Sequence, residues 1–410
     1  MRVLLISAYF PIKRTDFVSS FVRDEARELV RKGVDVHVAF WKYAGRLFRS
    51  RDFIVDGIKV HGLKLFSPVD VCSGFSNLLK LPFYSFSLKE IVRTGFFLSR
   101  SKQVEKIVKR YDIDLIHAHF AHPEGFVGLF AKCSTNKPLV ISVWGYDVQS
   151  DPKSGYGALS QRDTAYLVKR ALMAADAIIA GAESHYKMAI HLIDKEKSDK
   201  IHFIPPGIDT VSFNPNVDGS NVRKKLSIRA DQPVVLFARH LKPIYGTEYL
   251  IKAVPYIVKN CPNAIFLVLG EGSLLADLQQ LARDLNVANH VKFLGQAPKT
   301  NMPLYHAASD IFVDPCIFGQ GYASVEALLC GKPVIGFKMG QIRVNDEVDG
   351  YLVEPFSVKD LAERITQLIK HPAMRQEMGL KGRKRILDEG HGLQNKALKL
   401  IEIYDMLLKN

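Results

Sequence analysis

Eleven apolar runs of five to seven residues recur along the chain, with helical patterns between them. They are VLLIS (3–7), VDVHVAF (34–40), LIHAHF (115–120), LVISVWG (139–145), AIIAG (177–181), IHFIP (201–205), VVLFA (234–238), IFLVLG (265–270), VKFLG (291–295), IFVDP (311–315) and PVIGF (333–337). Strands this apolar are buried on both faces, and strands that alternate with helices pair in parallel. The expected fold class is therefore α/β, with doubly wound parallel sheets. One helical pattern, FVSSFVRDEARELVRKG (17–33), ends at Gly33 as a C-cap would. The alternation breaks at IPPGIDTVSFNPNVDGSNVRKK (204–225) and restarts at Pro233. That Pro, Gly, Asn and Asp-rich break marks a hinge between two Rossmann-like domains, expected at residues 1–210 and 211–390. Within the remaining 391–410, KALKLIEIYDMLL (396–408) reads as an amphipathic helix with Leu400, Ile403, Tyr404, Leu407 and Leu408 on one side. Ligands of open α/β sheets bind beyond the carboxyl ends of the strands, and two such sheets facing one another leave a cleft there.

Composition excludes several classes. With 47% hydrophobic and 24% charged residues, the chain is not disordered. No apolar run reaches the ~18 residues of a membrane-spanning helix. The opening MRVLLISAYFP reads as a first buried strand, not a signal peptide. Five cysteines, with no C-x-x-C, signal neither a zinc knuckle nor a disulfide framework, so a reducing, cytoplasmic setting is expected. The net charge of +14 is concentrated in residues 1–110, which hold 21 Lys and Arg against 10 Asp and Glu; the other 300 residues hold 35 against 32. Anionic lipid, nucleic acid or a phosphorylated substrate would answer such a field. Within it, residues 75–110 interleave aromatic and aliphatic residues with Lys and Arg. The stretch suits a membrane interface, or equally a core helix with a solvated basic back. Nucleic acid ranks last, since no helix-turn-helix, zinc or RNA-binding signature is present.

Residues 311–337, IFVDPCIFGQGYASVEALLCGKPVIGF, combine a strand, a loop with Gly319 and Gly321, a helix starting near Ala323, and a second strand. Backbone amides at a helix start bind phosphate, and Glu326 can accept hydrogen bonds from ribose hydroxyls. Taken alone, this is also an ordinary strand–loop–helix with a surface Glu. The stretch resembles the nucleotide-sugar site of the retaining family 4 glycosyltransferases, which have the GT-B fold. Their signature sets two Glu eight positions apart; Glu326 matches the second, and Phe318 stands where the first would be. The resemblance implies that Gly319, Gln320, Gly321 and Tyr322 hold the sugar and diphosphate.

Three further patches fit the same family in the same order. ARHLKPIYGTEYLIKAV (238–254) implies that Arg239 binds the diphosphate; Tyr245 replaces an expected Lys, and Lys242 is the nearest substitute cation. LVLGEGSLLADLQQLA (267–282) implies a turn at Gly270, Glu271 and Gly272 beneath the nucleotide, and Gly295 to Pro298, with Gln296, a loop over the base. IDLIHAHFAHPEG (113–125) implies a donor-sugar contact at His119, with His117 packing and His122 open. A core histidine is the plain alternative for His119. H-x-H also admits a metal reading, but no third ligand stands at a plausible spacing. In VWGYD (143–147), Trp144 replaces the family's His and Asp147 is kept. Asp112 and Asp114 read as helix-end and strand-start chemistry, with no metal implied.

What the resemblance implies is transfer of a sugar from a nucleoside diphosphate sugar to an acceptor hydroxyl, with retention. Residues 1–210 would bind the acceptor, 211–390 the nucleotide sugar, and the last helix would pack back on the first domain. Arg239, His119 and Asp147 would be the catalytic set, with no metal and no cofactor beyond the donor substrate. A lipid-linked or other glycan acceptor, peripheral contact with an anionic membrane and a place at its inner face follow from the basic N-terminal part. A sugar-nucleotide epimerase of the same fold, and a catalytically silent nucleotide-sugar-binding subunit, are the alternatives.

Overall fold

All eleven apolar runs become strands, and three short strands join them. The structure is a computed structural model that describes residues 1–8, 10–11, 20–41, 52–64, 88–150, 157–193, 195–317, 321–339 and 343–409. The chain divides into two compact units. One holds the described residues up to Gly207 together with those from Leu393 onward, and the other runs Ile208–Gly392.

In chain order the first unit contains β1 (Arg2–Ser7), α1 (Ser20–Arg31), β2 (Asp35–Phe40), β3 (Phe53–Val55), β4 (Ile58–Gly62) and α2 (Leu88–Arg110). It continues through β5 (Leu115–His119), α3 (Phe126–Thr135), β6 (Leu139–Val143), α4 (Arg162–Ala174), β7 (Ala177–Ala180), α5 (Glu183–Leu192) and β8 (Ile201–Phe203). The strand order is β3-β4-β2-β1-β5-β6-β7-β8, parallel except for the antiparallel β3–β4 pair. Central β1 is buried on both sides. Leu4 and Ile6 enter one core with Ile116, Ala118, Ile141 and Phe126, while Val3 and Leu5 enter the other with Val22, Ala26 and Leu29 of α1. The two-residue period of a strand dictates that split. Helix α1 stops where expected. Gly33 takes φ 87°, and the Val34 N–H returns to the Leu29 carbonyl at 3.1 Å.

The β3–β4 hairpin was not foreseen. Asp56 and Gly57 make its tight turn with φ values of 52° and 78°, the conformation that an Asp-Gly pair adopts readily. Of the basic stretch 75–110, residues 75–87 lie outside the described residues. From residue 94 onward it is a core helix: Phe97, Leu98, Val104 and Val108 of α2 are buried, and Lys106, Lys109 and Arg110 face outward. Among the described residues no helix is long and apolar enough to cross a membrane.

The second unit contains α6 (Ser220–Lys225), β9 (Val234–Ala238), α7 (Thr247–Asn260), β10 (Ile265–Leu269), α8 (Leu275–Asp284), β11 (Val291–Gly295) and α9 (Met302–Ala308). Then come β12 (Ile311–Asp314), α10 (Tyr322–Leu329), β13 (Val334–Phe337), β14 (Gly350–Val353), α11 (Val358–Lys370) and α12 (Pro372–Asp388). All its strands are parallel, in the order β11-β10-β9-β12-β13-β14. Val235 of β9 lies between Phe266 and Ile311, so β9, β10 and β12 end side by side.

The last helix, α13 (Leu393–Lys409), belongs to the first unit and packs on α1. Leu400, Ile403 and Tyr404 are buried there and Leu407 partly so. Leu408, expected on that face, is instead 39% exposed. Lys396, in the same buried row, is a charged residue that the apolar pattern passed over.

Candidate functional site

Arg239 follows the last residue of β9, so its backbone is fixed by the sheet: its N–H bonds the Leu269 carbonyl at 3.1 Å. Its side chain is 12% exposed and lies against the carboxyl end of β12. Nε donates to Asp314 Oδ1 at 3.1 Å, and Nη2 reaches Cys316 Sγ at 3.5 Å. The guanidinium carbon sits 5.0 Å from the centre of the Tyr245 ring. Burial opposes the charge, but Asp314, Cys316 and Tyr245 hold its pKa above the ordinary value. Burial likewise pushes the Cys316 thiol up to about 12, so it stays a thiol at neutral pH. Tyr245 therefore supplies a stacking face where a second cation was expected. Lys242 is exposed, with no carboxylate partner among the described residues.

The loops after the neighbouring strands close around this point. Gly270 adopts φ 140°, and a Cβ there would lie 1.9 Å from the Arg239 carbonyl oxygen. At Gly272 a Cβ would lie 2.2 Å from the Leu241 carbonyl oxygen. Only glycine permits that approach. The Gly270 N–H bonds Gly295 O at 2.8 Å, and the Leu241 N–H bonds Glu271 O at 3.0 Å. Glu271 is exposed and Gln296 half-buried. Gly321 caps α10 with φ 65°, and its carbonyl accepts the first intrahelical bond, from Val325 at 2.9 Å. The amides of Ala323 and Ser324 lie in the first turn, where no intrahelical acceptor exists. Ser324 Oγ donates to Asp314 Oδ2 at 2.7 Å. Arg239 and the start of α10, two groups expected on one diphosphate, thus share a single buried carboxylate. Tyr322 and Glu326 are half-buried on α10, with Glu326 in its second turn. Gly319 and Gln320, with Phe318, lie outside the described residues.

In the first unit, the carboxyl ends of β5 and β6 carry a buried polar cluster. His117 is satisfied at both nitrogens: Nδ1 lies 2.6 Å from Tyr404 Oη and Nε2 lies 2.8 Å from Ser142 Oγ. Burial, then neighbouring His119, lowers its pKa to about 3, so it is neutral and packs as expected. His119 is fully buried. Its Nε2 lies 3.3 Å from Glu25 Oε1 of α1, and its ring stacks between His117 at 4.7 Å and Trp144 at 5.9 Å. Glu25 Oε2 lies 2.7 Å from Lys396 Nζ of α13, which also sits 4.7 Å over Trp144. Burial alone would raise the Glu25 pKa, but Lys396 and His119 outweigh it and hold the carboxyl well below its usual range.

Asp147 and His119, expected in the catalytic set, both lie in this buried cluster. Asp147 is fully buried, and both its oxygens accept backbone amides, Ala121 N–H at 2.7 Å and Trp144 N–H at 2.9 Å. It clasps two loops together, and burial pushes its pKa up to about 6. His119, expected to touch a sugar, is covered by Trp144, the residue that replaces the family's His. The metal reading also changes in its details. Glu25 brings a third potential ligand atom to His117 and His119, all within 4.8 Å. However, both nitrogens of His117 are taken and Lys396 already supplies the positive charge. With Lys396, these groups form a buried ion-pair and hydrogen-bond network. His122 packs edge-on against Phe97 at 5.2 Å. Asp112 and Asp114 anchor Arg2 at the start of β1. Glu25, Lys396, Asp314 and Ser324 were not singled out from the sequence. Neither was Glu124, whose Oε1 accepts the Ala8 N–H at 2.8 Å and whose pKa burial pushes up to about 8.

Comparison with known proteins addresses both units. Residues 18–212 match the model described as Glycosyltransferase Family 4, and residues 218–385 match that described as Glycosyl transferases group 1. The chain is 28% identical over 299 residues to a GDP-mannose-dependent alpha-(1-6)-phosphatidylinositol monomannoside mannosyltransferase of Mycolicibacterium smegmatis, covering 70% of this chain and 75% of that protein. It is 34% identical over 194 residues to the GDP-mannose-dependent monoacylated alpha-(1-6)-phosphatidylinositol monomannoside mannosyltransferase of Corynebacterium glutamicum, covering 45% of this chain but only half of that protein. Among solved structures, sucrose-phosphate synthase from Thermosynechococcus elongatus shares the fold with a TM-score of 0.77 at 20% identity, covering 100% of this chain and 99% of that one. With two parallel-sheet domains of the GT-B kind, and the two family models between them spanning both, the chain belongs to the group 1 glycosyltransferases of family 4.

Proposed function

We propose that the chain transfers mannose from GDP-mannose to a hydroxyl of a lipid-linked or otherwise phosphorylated glycan acceptor, with retention of configuration and without a metal. The observation that carries this is the pairing of Arg239 and the α10 start on Asp314, at the carboxyl ends of β9 and β12. A nucleoside diphosphate gains negative charge as its bond to the sugar breaks, and a guanidinium with helix amides is suited to absorb it. The acceptor oxygen bonds to the anomeric carbon, the carbon–oxygen bond to the phosphate breaks, and the phosphate oxygen takes the hydroxyl proton. No side-chain nucleophile is required. The second unit would hold the nucleotide and the first the acceptor. His119, Trp144 and Asp147 would serve the first unit by shaping its loops.

The choice of mannose and of a lipid acceptor is supported by the two mannosyltransferase relatives. The positive charge of residues 1–110 suits an anionic headgroup and contact with the inner face of a membrane. A thermal-shift panel of GDP-mannose, UDP-glucose and ADP-glucose tests the donor, because selective binding to the folded state raises the melting temperature. Transfer by Arg239→Ala should fall about 100-fold. Wild-type turnover in that variant removes the assignment.

A second reading is a nucleotide-sugar-binding protein without turnover. Tyr245 in place of a cation, and Trp144 lying over His119, favour it. Calorimetric binding of GDP-mannose with no GDP release, across lipid and glycan acceptors, would select it.

A further inference from the structure

We propose that Asp314 is a positioning residue that locks Arg239 and the first turn of α10 into one rigid clamp, so that guanidinium and helix amides meet a diphosphate together. The inference rests on the reading that this site takes a nucleoside diphosphate. Asp314 is fully buried at the end of β12, after three apolar residues that are themselves fully buried. A carboxylate there is costly unless each oxygen is used. Each is, and by a different element: Oδ1 by Arg239 beyond β9, Oδ2 by Ser324 of α10. Arg239 is thereby held on three sides, by Asp314, Cys316 and the Tyr245 ring, while its Nη1 has no protein partner among the described residues. With Tyr245 in place of a second cation, the grip depends on the alignment of one guanidinium rather than on summed charge. The rival account makes Asp314 a competitor that neutralises Arg239, and it predicts the opposite sign.

Calorimetry with GDP and with UDP separates the two. Asp314→Asn should weaken binding by about tenfold even though it removes a negative charge from the site. Ser324→Ala, which cuts half of the link, should weaken it about threefold to tenfold. The losses in Arg239→Ala and Ser324→Ala should fail to multiply in the double variant, although those two side chains do not touch. In an Asp314→Asn background Ser324→Ala should cost nothing more. Loss of fold stability alone produces none of this coupling, and unliganded melting temperatures monitor it. Unchanged or tighter binding by Asp314→Asn overturns the proposal. Should that variant not fold, independent losses in the Arg239 and Ser324 cycle overturn it instead. A wild type that binds neither GDP nor UDP refutes the reading of the site, and the clamp falls with it. A wild type that binds, with Asp314→Asn equally tight, refutes the clamp alone.

Discussion

Glu25 and Lys396 each carry a charge within a buried helix face. Glu25 lies in the row Val22, Ala26, Leu29 of α1, and Lys396 in the row Leu400, Ile403, Tyr404 of α13. Across the contact of the two helices they neutralise one another at 2.7 Å. Neither residue stands out from the sequence alone, because the reason for each charge appears only when the last helix returns to the first. His119 sits at the far end of this pair, which explains how an imidazole is accommodated without exposure. Breaking a buried ion pair leaves one charge without compensation, which typically costs about 3–5 kcal/mol. Lys396→Met should lower first-unit stability on that scale, and adding Glu25→Leu should restore most of the loss. The chain has two tryptophans, Trp41 and Trp144, and both lie in the first unit, so urea unfolding followed by tryptophan fluorescence reports on that unit. A Lys396→Met midpoint equal to wild type would show that Glu25 is balanced by other means.

At the scale of elements, strand legibility follows burial. Most of the eleven expected strands, β1, β5, β6, β9, β10 and β12 among them, are buried along nearly their whole length, and their apolar runs carry the information. Missed β3 is half-exposed, with Ile54 at 72%, so its pattern is diluted. The hairpin is signalled by Asp56-Gly57 between apolar residues, a tight-turn pair at positive φ. The donor-side loops were legible because they need glycine for steric reasons, and glycine is visible in sequence. Asp314 was hidden because one polar residue closing an apolar strand is unremarkable until its two partners, 75 and 10 positions away, arrive. The glycines themselves are not equivalent. Gly270→Ala would drive a Cβ into the Arg239 carbonyl at 1.9 Å, whereas a Cβ at Gly295 meets nothing nearer than Glu271 Oε1 at 4.0 Å. Gly295→Ala should therefore cost only the left-handed conformation, about 1 kcal/mol. Gly270→Ala should cost more than twice that and weaken GDP binding, because the loop it displaces carries Arg239. Circular-dichroism melting of the two variants side by side checks the ranking, and equal losses would contradict the close approach.

At the scale of the whole molecule, the two units should respond differently to pH. Each buries a neutral histidine whose pKa burial lowers to about 3, His117 in the first and His306 in the second. Unfolded, such a group titrates near 6.5, so the unfolded chain binds more protons between about pH 6.5 and 3, and both units lose stability as pH falls through that range. Above 6.5 the histidines fall silent and the carboxyls decide, until Lys200 of the first unit, whose pKa burial lowers to about 8, begins to oppose them as the pH nears that value. Glu124 of the first unit is pushed from its ordinary 4.5 up to about 8, mainly by burial. Its raised pKa reverses the sign: the unfolded chain has already released that proton, so stability declines as pH climbs toward 8. Asp147 has completed its own loss by about 6. In the second unit, among the described residues, no carboxyl is raised in this way, and the buried Cys316 and Cys330 thiols, pushed to about 12, matter only above the ordinary thiol range near 9. Between pH 6.5 and 8 the first unit should therefore weaken by up to about 1.4 kcal/mol per pH unit while the second stays level. Tryptophan-monitored urea midpoints at pH 6.5, 7.2 and 8.0 read the first unit directly. Glu124→Gln keeps a carbonyl for the Ala8 amide and removes the ionisation, so it should flatten the decline. A wild-type midpoint that does not fall across this window, or a Glu124→Gln midpoint that falls as steeply, would mean that Glu124 is not the group that ties the loops of β1 and β5 together in its protonated form.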